Sequence, residues 1–229
     1  MSIGISENFK QSLMFTKENL VGKILNWVIL FVIALLSSTY LTTLLPDLSL
    51  LWSVLTIIGL ITMYGLLVRI YAGGEVTFAN FGTLIKKGIG YFVASLVYSL
   101  PALILIVIST VILLTGSSTG AVAAGLAVGI ILLMLSLILA LLASFFIIPA
   151  AVNYAHSTGL GGAFRISEIL ARIENAGWGK FIGSYLIFLV IGIILAGLMC
   201  IPFVGGILYA LAYSFLIVLQ AKYYANLLS

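Results

Sequence analysis

Six long apolar runs, separated by polar interruptions, set the pattern of this chain: residues 24–45, 48–68, 90–115, 121–148, 181–201 and 203–221. Each holds about 20 residues or more, the length at which an α-helix crosses the hydrocarbon core of a bilayer. The pattern predicts an all-α integral membrane bundle of six transmembrane helices. The first run is longer than the apolar region of a signal peptide and lacks a small-residue cleavage site, so it reads as a retained helix. Pro101 lies inside the third run and should bend it. The fourth is long enough to tilt, or to kink at Pro149.

The interruptions carry helical patterns of their own. Gly159–Phe181 is the longest polar stretch. Within it Phe164, Ile166, Ile169, Leu170 and Ile173 recur at helical spacing, with Arg165, Glu168 and Arg172 between them. That pattern predicts a short interfacial helix with one apolar and one charged face. Glu168 precedes Arg172 by one helical turn, the favourable order for an ion pair. Glycines at 159, 161 and 162 break the chain before this helix, and Gly177 and Gly179 break it after. In residues 69–89, Gly73-Gly74 is a break, and Phe78, Phe81 and Ile85 then share a face ahead of Lys86-Lys87. Residues 1–23 form an amphipathic N-terminus with Ile5, Phe9, Leu13 and Leu20 loosely in helical register. There Thr16 is placed to cap a helix starting at Lys17, with Phe15 and Leu20 as its hydrophobic staple.

Composition sharpens this picture. Hydrophobic residues make up 63% and charged residues only 7% of the chain, against about 25% charged in a soluble domain. One membrane domain over residues 1–229 is therefore expected. Cys200 has no second cysteine to pair with and reports nothing about redox compartment. With the N-terminus inside, all ten Lys and Arg fall on cytoplasmic segments, and Asp47 is the single charge in the outer loops. The positive-inside rule then gives cytoplasmic termini and cytoplasmic loops at 69–89 and 149–180, in a multi-pass protein of the cell membrane. The net charge of +4 follows from this placement and does not call for nucleic acid.

An internal repeat is also visible. Gly88-x-Gly90-x-Phe92-x-x-Ser95 matches Gly177-x-Gly179-x-Phe181-x-x-Ser184 at a constant offset, which also relates Gly73 to Gly162. Glu18-Asn19 followed by Gly22-Lys23 echoes Glu174-Asn175 followed by Gly179-Lys180. Three parallel units, each an interfacial segment feeding a two-helix hairpin, would produce these matches.

Three stretches carry a family likeness: Met63–Ile106, Pro149–Glu168 (with Asn153-Tyr154-Ala155 and the run from Phe164 to Leu170) and Pro202–Gly205. They resemble the signatures of a prokaryotic, mainly archaeal, family of multi-spanning membrane proteins, domain-of-unknown-function family four thousand and thirteen. The resemblance implies a membrane bundle of uncharacterised activity and supplies no catalytic residues. Two positions depart from the family pattern, in which a basic residue is usual where Asn153 stands and an acidic one near Arg165. The charge sense of that loop is altered here.

Candidate chemistry is sparse. Gly116-Ser117-Ser118-Thr119-Gly120 has the spacing of a nucleophile elbow, but that motif needs a preceding strand, a His and an acid, and here it reads as an outer turn. His156 alone makes no metal set, and no charged residue falls inside a run to mark an ion path. Ser37, Ser38, Thr39, Thr42 and Thr43 cluster near the outer end of the first helix and read as interhelical or interfacial polar groups. Gly125-x-x-x-Gly129, and Gly206, Ala210 and Ser214, give small-residue faces for close packing. No catalytic, cofactor-binding or metal-binding residue is identified. The amides opening the helix after Gly159–Gly162 suit a phosphate. Lys86, Lys87, Arg165, Arg172 and Lys180 are candidate contacts for anionic lipid, although topology alone also requires such cations.

The expectation is a non-enzymatic membrane protein whose basic cytoplasmic collar organises lipids, other membrane proteins or further copies of itself. The alternative is a transporter or flippase-like carrier of an uncharged or amphipathic solute, which a lipid-open cavity between helices would favour. Single cysteines introduced at Ser118 and Asp47 in a Cys200→Ser background are expected to label from outside the cell. Those at Lys87 and Glu168 are expected to label only from inside, and the reverse pattern would end the topology.

Overall fold

A computed structural model describes residues 4–38, 46–116 and 122–229. Among them the chain is helical, without strands. Helix α1 (Ile5–Thr16) continues as a π-turn over Lys17–Val21, and α2 (Ile24–Leu36) leaves it at 94°. Then come α3 (Ser49–Tyr71), α4 (Phe81–Gly116), α5 (Val122–His156), α6 (Ile166–Ala176), α7 (Trp178–Ala196) and α8 (Gly205–Leu227). Five helices, from α3 to α8 without the short α6, are long and apolar enough to cross a membrane; the bent α1–α2 pair would be a sixth if counted as one span. This is an all-α membrane bundle. The last seven residues of the first apolar run, 39–45, lie outside the described residues.

The helices outrun their apolar segments. α4 already begins at Phe81, so Lys86 and Lys87 belong to the spanning helix and not to a separate interfacial one. α5 passes through Pro149 to His156. A proline in a helix interior costs about 3 kcal/mol or more, and here the turns after it are fixed by burial of Ala150, Ala151, Val152, Asn153 and Tyr154. α8 likewise runs beyond Ala221, because Tyr223, Tyr224 and Ala225 are buried. Thr16 is no cap: its backbone is helical and its hydroxyl donates to the Ser12 carbonyl, so the break moves to Gly22-Lys23.

The chain divides into two compact units, Met1–Phe92 with Pro149–Ser229, and Val93–Ile148. In the first, α8 is the buried axis, packed by α1, α2, α3 and α7. Its predicted small-residue face is used inside the chain: Gly206, Ala210 and Ser214 are buried, and Ser214 Oγ accepts the Trp27 indole N–H at 3.0 Å. The rings of Phe181 and Phe188 meet Tyr224 and Tyr223 at 5.8 and 5.4 Å, closing α7 onto α8. Glycines bring α3 and α4 together. A Cβ on Gly65 would stand 2.1 Å from the Leu84 carbonyl oxygen, and one on Gly88 would stand 2.0 Å from that of Ile61.

The second unit holds only the apolar parts of α4 and α5 and no charged residue. Gly129 lets Leu113 approach, since a Cβ there would stand 2.6 Å from its side chain. The hydroxyls of Ser109 and Ser136 turn back onto the Ile106 and Leu133 carbonyls. Most of its large side chains, such as Val107, Leu114, Ile131 and Met134, face outward.

The repeat is only partly visible as structure. α1 and α6 are both short helices ahead of a span, but between them the middle segment runs unbroken into α4. Gly88 lies within a helix against α3. Gly177, its counterpart in sequence, has φ +91°, the left-handed region that glycine adopts freely, and separates α6 from α7.

Candidate functional site

Every charged side chain of the protein belongs to the first unit, so the candidate site is built there from the polar segments upward. The segment between α3 and α4 is pinned from two sides. Val76 is fully buried: its N–H donates to Asn19 Oδ1 at 3.2 Å, and its carbonyl accepts from Asn26 Nδ2 at 2.7 Å. Lys23 pairs with Glu75 at 2.6 Å and holds that carboxyl below its ordinary range. Arg69, at the end of α3, donates to the Thr77 carbonyl and to that of Ala79 at 2.8 Å. Gly74 leaves room for the Arg69 stem, because a Cβ there would stand 2.8 Å from Arg69 Cγ.

A second network ties α5, α6 and the end of α8. The buried Asn153 amide donates to the Gly162 carbonyl at 2.9 Å and to Glu168 Oε2 at 2.9 Å. Its oxygen accepts from Arg172 Nε at 2.8 Å, and Arg172 also donates to the Leu228 carbonyl at 2.8 Å. Glu168 is paired instead with Arg165 at 3.0 Å. The expected Glu168–Arg172 ion pair is therefore replaced. The Asn153 carboxamide stands between the two residues and offers a donor to one and an acceptor to the other.

The five cations singled out in the sequence thus differ in surroundings. Lys86 is exposed, and Lys180 is half-buried in the first turn of α7. Arg165 and Arg172 hold the α6 network. The Lys87 ammonium lies 4.9 Å over the ring of Tyr154, whose hydroxyl in turn needs Gly90, since a Cβ there would stand 2.1 Å from it. Beside Lys87 opens a cleft of about 300 Å³ lined by Arg69, Gly74, Thr83, Leu84 and Ala155 among others. Arg69 and Thr83 were not among the residues picked from sequence. The useful signal was the glycine pair Gly65 and Gly88, which brings the end of α3 against the start of α4.

The outer surface of this end is mixed. On α1 the buried face is polar, formed by Asn8, Ser12, Thr16 and, in the π-turn, Asn19, and Asn8 exchanges hydrogen bonds with the Tyr223 carbonyl and Asn226. Ile5 and Phe9 are exposed on one flank, and Glu7, Lys10 and Lys17 on another. α6 repeats the scheme, with Ile169 and Ile173 buried and Ile166 and Leu170 exposed.

Other sequence candidates are absorbed locally. Ser37 and Ser38 hydroxyls return to the Ile33 and Leu35 carbonyls, while Thr39, Thr42, Thr43 and residues 117–120 lie outside the described residues. His156 Nδ1 lies 2.9 Å from the Val152 carbonyl, Cys200 is exposed, and the described residues hold no cluster of potential metal ligands. A larger apolar cleft, about 590 Å³, lies among Trp27, Leu195, Leu198, Leu208, Leu211 and Phe215.

The Glu168 carboxyl is held below its ordinary range, first by the Asn153 amide, with Arg165 adding to it and burial opposing. A carboxyl lowered in the folded state adds stability above its unfolded range and loses it as pH falls through the depressed value. Asn153→Leu is expected to cost roughly 2–4 kcal/mol, because Arg172 and the Gly162 carbonyl lose a partner. The variant should also lose less of its remaining stability than the parent on acidification. Unfolding in mild detergent, followed against pH, measures both.

No curated protein and no solved structure matches the chain. A family match does exist, over residues 48–204. It takes in Arg69, Lys87, Asn153 and α6 and leaves out α1, α2 and the whole of α8. With well over half its length inside that match, the chain belongs to the family described as protein of unknown function (DUF4013).

Proposed function

We propose that this membrane protein is a non-enzymatic organiser of lipid, acting through the basic end of its first unit, which faces the cytoplasm with both termini. The observation that carries the reading is the surface of α1 and α6. Each helix presents one face to protein, an exposed apolar flank and a charged flank. Such a helix is at home where hydrocarbon, headgroups and water meet, with its apolar flank in the acyl boundary. Trp178, 42% exposed at the start of α7, is the residue type that favours this depth. Cations beside that flank attract anionic headgroups, each worth about 1 kcal/mol near the surface. Arg165 and Arg172 are held in internal networks, so the diffuse attraction rests more on Lys10, Lys17 and Lys86, all exposed. Other membrane proteins or a second copy are further partners of such a surface.

A carrier of an amphipathic solute is the second reading. It is favoured by the apolar cleft between α2, α7 and α8, which is of ligand size and almost entirely hydrocarbon-lined.

Replacing Lys10, Lys17 and Lys86 together with Gln tests the first reading. The triple variant, correctly inserted, is expected to co-purify with severalfold less anionic lipid, and the parent should show the same loss at high salt. Equal lipid content in parent and variant would remove the collar reading and leave the carrier.

A further inference from the structure

We infer that the cleft between the end of α3 and the start of α4 is a binding site for a phosphate group, built by Arg69, Lys87 and Thr83. The inference rests on the collar reading and narrows it from a diffuse charged surface to one pocket. Two cations line this cleft and no carboxylate does. Glu75, the acid in the adjoining segment, is engaged by Lys23 at 2.6 Å.

Both cations keep donors to spare. Arg69 spends two N–H groups on the Thr77 and Ala79 carbonyls, and a guanidinium has more than these. Those two bonds hold its stem against Gly74, so the guanidinium is fixed before any ligand arrives. Lys87 is held by the face of the Tyr154 ring at 4.9 Å and has no hydrogen-bond acceptor among the described residues. Three ammonium protons are therefore available to an oxyanion. Thr83 lies one turn before Lys87 on α4, and its hydroxyl donates to the Asn80 carbonyl at 2.9 Å, leaving its lone pairs free.

Four glycines clear the site. Side chains on Gly65 or Gly88 would push α3 and α4 apart, one on Gly90 would displace Tyr154, and one on Gly74 would displace Arg69. A volume of about 300 Å³ suits a phosphate with a small substituent. Charge-assisted contacts from Arg and Lys are the strong ones for such a group. The cleft lies where the apolar run of α3 ends, the depth of lipid headgroups, which makes a phospholipid the expected source and a free phosphate the competing one.

The test uses full-length protein in detergent, titrated with short-chain phosphatidylglycerol, with bound lipids counted by native mass spectrometry. One lipid is expected to bind more tightly than the rest. Lys87→Met should weaken that binding about tenfold, and Lys87→Arg should restore most of it. Lys222→Met, which removes the same charge from a lysine that lies 5.0 Å over the Phe15 ring, outside the cleft, should change it by less than about threefold. Competition by inorganic phosphate would assign the site to free phosphate, and its failure at saturation to the lipid headgroup; either result requires the cleft. Equal losses in Lys222→Met and Lys87→Met, or no recovery in Lys87→Arg, would overturn the cleft and leave the collar standing. A parent that retains no anionic lipid at all would remove both.

Discussion

The carboxamide of Asn153, only 3% exposed, serves a carbonyl, a carboxylate and a guanidinium at once. Through it the end of α5, the turn at Gly162, α6 and the last residues of α8 are made one piece. The constraint behind this is general to the molecule. A polar group away from water costs free energy unless it is hydrogen-bonded, and lipid supplies no partner. Asn8, Ser12, Thr16, Asn19, Ser184 and Ser214 obey the same rule inside the first unit, each bonded to a neighbouring backbone group or side chain.

The outer surface consequently differs from that of a soluble protein. The face of α1 that touches protein is the polar one, and large aliphatic side chains look outward along most of the chain. Since hydrocarbon surrounds such helices, apolar burial contributes little to holding them together, and close backbone approach matters more. Gly65, Gly88 and Gly129 provide that approach. The same close approach that packs α3 on α4 brings Arg69 beside Lys87, so packing and the proposed phosphate cleft share one cause.

Much of this was legible in the chain. Long apolar runs dictate helices whatever their context, so the spans and the existence of α6 follow from hydropathy alone. Helix ends were less readable, because α4, α5 and α8 are extended by tertiary burial at Leu84, Tyr154 and Tyr224, which no local pattern announces. The charge loop departs from its sequence pattern for a related reason. A one-turn spacing pairs Glu168 with Arg172 on an isolated helix, whereas Asn153 arrives from another helix and separates them. Arg69 directly follows the second apolar run. Its partners, Thr77 and Ala79, become visible only once the chain has turned at Gly73, with φ +83°. The polar face of α1 lies in Asn8, Ser12 and Thr16, one turn apart, and its signal is masked by the apolar residues interleaved between them.

The central claim is that α1 lies at a boundary, with protein, hydrocarbon and water each touching a different side. Nitroxide labels placed one at a time from Ile5 to Val21, in protein reconstituted into bilayers, read that directly through their accessibility to oxygen and to a water-soluble relaxant. The account predicts a helical period in both, with oxygen maxima at Ile5, Phe9 and Leu13 and aqueous maxima at Glu7, Lys10 and Lys17. Uniform aqueous accessibility along the helix, or oxygen maxima on the Asn8–Ser12–Thr16 face, would contradict it.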